Sequence, residues 1–68
     1  MDKKDFIKRF GQLKEDKNYV TVFLKGSGYL ICESYKFPDS LLGDDYVRFF
    51  KNDDVLALIE LDNIEFLS

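Results

Sequence analysis

The 68-residue sequence predicts a mainly β domain in which one N-terminal α-helix precedes five short strands that close into a small barrel. Three observations carry this prediction. Apolar residues recur at helical spacing over residues 2–13, then at a period of two from Tyr19 onward. Short runs rich in β-branched and aromatic residues alternate with turn-forming clusters. At 46% hydrophobic and 16% aromatic the chain is too apolar to stay disordered, and its length allows a single domain, residues 1–68.

In the helix, Phe6, Phe10 and Leu13 fall at i, i+4 and i+7 with Ile7 beside them, while Lys3, Lys4, Lys8 and Arg9 take other positions around the axis. Asp2 suits the N-cap, and Asp5 favours the positive helix end. Gly11 weakens the last turn, so the helix is expected over 2–13, with Lys14 to Asn18 as a solvated connector.

The barrel is expected over 19–67. Tyr19 to Leu24 is the first strand, and Lys25-Gly26-Ser27-Gly28 supplies a hairpin turn. Tyr29 to Phe37 returns as the second strand until Pro38, which lacks a ladder donor, ends it. A connector over Asp39–Asp45 leads to the third strand, Tyr46 to Phe50, and the polar turn Lys51-Asn52-Asp53-Asp54 follows. Val55 to Leu61 is the fourth strand, Asp62-Asn63 a tight corner, and Ile64 to Leu67 the fifth.

This order fits small barrels of the SH3, OB or Sm type. The fourth strand is apolar on both faces, with Val55, Ala57 and Ile59 expected on one and Leu56 and Leu58 on the other. One face fills the barrel; the other needs the helix or a second copy to cover it. A homo-oligomer is therefore expected, with Leu56, Leu58 and Leu67 at its interface.

Two stretches resemble the Sm-like family. Asn18-Tyr19-Val20-Thr21-Val22-Phe23-Leu24, preceded by an amphipathic helix, is similar to the opening of the Hfq-type bacterial RNA chaperones. Leu58 to Ser68 is similar to the second Sm motif, where an apolar strand, a polar corner and an Ile-x-aromatic-apolar strand close the barrel. The resemblance implies a ring that binds single-stranded RNA. It matches Tyr46 to the family's base-stacking aromatic and sets the helix, with Lys3, Lys4, Lys8 and Arg9, on one face of the ring. Phe37 is a second stacking candidate, and Asn63 carries the donors and acceptor to read a base edge.

The sequence also departs from the family. Hfq-type chains carry Lys-His at the corner, where this one has Leu61 and Asp62; other Sm sequences carry Arg-Gly, where this one has Glu60 and Leu61. A carboxylate repels phosphate and offers no donor, so RNA affinity should be weak and salt-sensitive. The glycine usual in the second strand is Cys32.

Charge suggests a rival reading. The first 18 residues carry six basic and four acidic side chains, whereas residues 33–68 carry three basic and nine acidic ones. An acidic face built from Glu33, Asp39, Asp44, Asp45, Asp53, Asp54, Glu60, Asp62 and Glu65 would make the chain an acidic protein-interaction module, such as a host- or phage-encoded inhibitor, that engages a basic surface on a partner protein.

Catalysis is not expected. The chain has no histidine, which excludes Ser-His and Cys-His chemistry and His-based metal sites. The lone Cys32 reads as a small packing residue, Gly26-Ser27-Gly28 as a hairpin rather than a phosphate loop, and the two Asp pairs as solvated turns. No metal or cofactor is expected. With no signal-peptide pattern and no long apolar run, a cytoplasmic location is the default.

Overall fold

The computed structural model describes residues 1–38 and 45–68. Helix α1 spans Lys3–Asp16 and buries Phe6, Phe10 and Leu13, the stripe set by the i, i+4, i+7 spacing. It runs one turn beyond the expected end. Gly11 sits on the exposed side with no neighbour its missing Cβ would meet, so it costs propensity without breaking the helix. The extra turn is closed by the Lys17 N–H donating to Leu13 O at 3.0 Å and by Lys14 Nζ donating to Asn18 O at 2.9 Å.

Among the described residues six strands follow: β1 Val20–Leu24, β2 Tyr29–Cys32, β3 Ser34–Lys36, β4 Tyr46–Lys51, β5 Asp54–Glu60 and β6 Ile64–Leu67. They form two antiparallel three-stranded sheets, ordered β2-β1-β6 and β3-β4-β5. This corrects the expectation of five strands in a closed barrel; among the described residues no closed barrel forms. The expected second strand is broken at Glu33, which leaves β2 in one sheet and starts β3 in the other. Glu33 itself bonds to the second sheet, its N–H donating to Phe50 O at 2.8 Å. The connector expected over 39–45 lies, apart from Asp45, outside the described residues.

The core forms where the two sheets and the helix meet. Val20, Val22, Cys32, Val47, Phe49, Ile64 and Leu67 project inward from the strands onto Phe6, Phe10 and Leu13. Tyr35 wedges its ring edge-on against Phe6 (4.9 Å between centroids) and Phe10 (4.6 Å), fastening the helix to β3.

Two bulges decide which strand residues face out. Between Phe49 and Phe50 the β4–β5 register slips, so that Phe49 faces Ala57 but Phe50 faces Val55, leaving Leu56 as the extra residue. An extra residue inverts the alternation. Val55 therefore points outward at 58% exposure, against its expected place beside Ala57 and Ile59. In the β1–β6 pair, Glu65 is the extra residue, which keeps both Ile64 and Leu67 inside.

The β4–β5 turn places Asn52 and Asp53 at φ of 53° and 65°. Two positive values in succession match the twist of a two-residue hairpin, and Asn and Asp tolerate them better than most residues. Leu61–Asn63 forms one 3₁₀ turn, so β5 ends a residue earlier than expected and Leu61 tucks into the core. Among the described residues no helix is long and apolar enough to cross a membrane.

Candidate functional site

The 3₁₀ corner gathers several of the proposed binding residues at one end of the molecule. Leu61 is its hub: its carbonyl accepts from the Met1 amino group at 2.9 Å, and its N–H donates to Asp45 O at 2.6 Å. The first bond brings the start of α1 to the corner, and the second brings the start of β4. Tyr46, paired with Glu60, is half-buried beside them. Asn63 is exposed at the same corner, its carbonyl accepting from the Lys25 N–H at 2.8 Å, so the β1–β2 hairpin also reaches this end.

Phe37 is nearby but engaged. Its ring stands edge-on to Phe6 at 6.0 Å and to Tyr35 at 5.6 Å, while Lys3 Nζ lies 4.4 Å from its centroid. One face of the ring thus carries a cation already, an arrangement favoured by the ring quadrupole. Phe37 packs against the aromatic core under the helix and, like Tyr46, is half-buried.

The helical cations do not share one face. At about 100° per residue, Lys4 and Lys8 lie about 40° apart on the side opposite the buried stripe. Lys3 borders that stripe toward Phe37, and Arg9 lies about 120° from Lys3, on the stripe's other border. The helix therefore spreads its charge around the axis.

The expected interface residues divide in two. Leu56 and Leu58 are exposed on β5, at 44% and 40%. Leu67 is buried in the chain's own core, because the Glu65 bulge turns it inward opposite Val22. The residue β6 presents outward is Phe66, stacked on Phe23 at 4.5 Å and 17° between ring planes; Phe23 in turn touches Tyr29. The three rings cross the first sheet in one row, since Phe23 pairs with both Tyr29 and Phe66.

Cys32 is buried, and its Sγ donates to Val20 O at 3.5 Å. Burial pushes its thiol pKa up to about 11, against a smaller lowering by Lys14, so the thiol is protonated and a poor nucleophile. Among the described residues no cavity is present, and no three Cys, Asp or Glu side chains gather as a metal-holding group.

Sequence reasoning missed Lys36 and Arg48. They face each other across β3 and β4. Alternation alone puts Arg48 on the face of Tyr46 and Phe50, but its pairing with Lys36 depends on a register that the intervening connector conceals. The chain matches no family model, and no curated protein or solved structure proves similar to it.

Proposed function

We propose that this chain is an Sm-like subunit that assembles with copies of itself through its open strand edges and binds single-stranded RNA at the 3₁₀ corner. One relationship carries the reading. β5 and β6 are consecutive and separated by only three residues, yet they lie in different sheets. Each is the outer strand of its sheet, β5 pairing with β4 and β6 with β1, and among the described residues the far edge of each carries no ladder. Strand β5 shows Val55, Leu56 and Leu58 to solvent, and β6 shows Phe66. Open edges bearing large apolar side chains are pairing sites.

The strands support a small open barrel. From β6 through β1 and β2, across Glu33 to β3, and on to β4 and β5, they follow one another in a row that bends around the core. The gap in that row falls between β6 and β5. An edge from a second copy, laid on either strand, would fill it and continue the sheet.

RNA binding is supported by Tyr46 and Asn63 flanking the corner to which the Met1 amino group is bonded, where a ring would repeat them around its axis. Stacking on Tyr46 tolerates any base. Glu60 and Asp62 at the same corner oppose phosphate, so binding should weaken steeply with salt. Among the described residues the carboxylates of the acidic-module reading fall mainly in two places: Glu33 beside the β4–β5 turn that carries Asp53 and Asp54, and Asp45, Glu60 and Asp62 around the corner.

Light scattering tests the assembly, with a mass several times 8.0 kDa expected and a monomer mass overturning it. Filter binding with oligo-uridine and oligo-adenine at low and high salt tests the ligand. Wild type should bind at low salt, and Tyr46→Ala should lose about 1–3 kcal/mol. Absence of binding to both oligomers at low salt removes RNA as the ligand.

A further inference from the structure

The outer face of the second sheet holds a feature that folding does not explain. The register sets Lys36 directly against Arg48, and side chains so paired project to the same side with Cβ atoms about 5 Å apart. Like charges in that position repel. Among the described residues no carboxylate forms an ion pair with either cation. The nearest acidic side chain by register, Glu60, sits two pairs further along, opposite Tyr46.

The cations have aromatic company. Val47 and Phe49 are fully buried, so alternation turns Tyr46, Arg48 and Phe50 outward, each about 6.8 Å from the next along β4. The face thus reads ring, cation, ring, with a second cation beside the first. This lies within the acidic part of the chain, where residues 33–68 hold only three basic side chains. Two of those three meet here.

We propose that this face is a second contact surface for single-stranded nucleic acid, with a backbone phosphate held between Lys36 and Arg48 and bases lying on Tyr46 and Phe50. The proposal rests on the RNA reading above and extends it along β4 from Tyr46, the ring that the two surfaces share. Charge complementarity selects the occupant: an anion between the two cations replaces their repulsion with two attractions. A guanidinium meets phosphate oxygens through paired N–H donors, while the lysine adds a point charge. Flanking rings suit a ligand that alternates phosphate with planar bases better than an acidic peptide, which has no planar group to offer them. Edge pairing through β5 runs in the plane of the sheet and leaves these side chains facing outward.

The test measures binding of a labelled mixed-sequence RNA of about 12 nucleotides by fluorescence anisotropy, at about 50 and 200 mM salt. Lys36→Gln with Arg48→Gln should weaken binding at least tenfold and flatten the salt dependence by about one unit in the log–log slope. Phe50→Leu, which keeps bulk but loses the ring, should weaken binding without changing the slope. The double variant should melt no lower than wild type, since a repulsion has been removed. A helix variant, Lys4→Gln with Lys8→Gln and Arg9→Gln, serves as the comparison. If the helix variant loses RNA and the sheet variant binds normally, this surface is overturned while the RNA reading stands. A wild type that binds no RNA at low salt overturns both. Capture of poly-glutamate in place of RNA overturns this proposal and assigns the face to an acidic protein.

Discussion

The Glu33 carboxylate accepts a hydrogen bond from the Asn52 backbone N–H at 2.6 Å, tying the break between the two sheets to the turn that joins β4 and β5. The same residue's own N–H donates to Phe50 O, so Glu33 is bonded twice to one short stretch of the second sheet. The first sheet ends at Cys32, and this double attachment sets where the second begins. Glu33→Ala removes the acceptor but not the backbone bond. Because the site is partly solvated, the loss should be about 0.5–1.5 kcal/mol, read as a lower denaturant midpoint with an unchanged slope.

The turn itself can be improved. Asn52 and Asp53 both hold positive φ, and glycine adopts such values without steric cost. Asp53→Gly creates the Asn-Gly pair most favoured in two-residue hairpins, and relief of the left-handed angle, about 1 kcal/mol, should outweigh the greater freedom glycine gives the unfolded chain, for a small net stabilisation. Thermal melting checks it; a fall in midpoint would show that the Asp53 side chain contributes something beyond its backbone angle.

Phe6 is the residue on which helix attachment depends. Its fully buried ring meets those of Phe10, Tyr35, Phe37 and Phe49, with centroids between 4.9 and 6.0 Å away. Phe6→Ala should cost about 3–5 kcal/mol, enough to unfold a domain of this size. Phe6→Leu preserves most of the volume and should cost less than about 1.5 kcal/mol. Urea titration of both variants, followed by circular dichroism, separates the two outcomes.

Alkaline pH should act through Cys32. Its folded pKa lies above the ordinary value of 9.0, at about 11, because burial disfavours the thiolate. The unfolded chain therefore loses this proton first as pH rises. The contribution is fully present below about pH 9 and is lost progressively as pH approaches 11. The expected decline is about 2 kcal/mol. Cys32→Ala should flatten this segment of the stability–pH curve relative to wild type, and an identical slope in both proteins would assign the decline to other groups.

Assembly should respond to charge on the open edge. Leu56 is the extra residue of the β5 bulge and is exposed at 44%, so Leu56→Lys leaves the core intact. A lysine on an edge strand opposes pairing with another chain. The variant should shift the scattering mass to 8.0 kDa while keeping its melting profile; an unchanged multiple would move the interface elsewhere.

Much of the fold was legible locally. Phe6, Phe10 and Leu13 announced the buried helix face through spacing alone, and Val20 and Val22 did the same for β1 by alternation. The candidate site was legible only in part. Tyr46 and Asn63 do flank one corner, yet Phe37 is engaged by Lys3 and two aromatic rings, and the four helical cations spread around their axis. Neither fact has a signature in a run of adjacent residues.

The order of helix and strands, the buried stripe of the helix and the absence of histidine chemistry follow from the chain's residues alone, because periodicity and composition act over short distances. The break at Glu33, the outward turn of Val55 and the meeting of Lys36 with Arg48 were decided by tertiary structure. Each depends on register between strands that are distant in sequence or displaced by a bulge, and one residue of slip reverses every side chain beyond it.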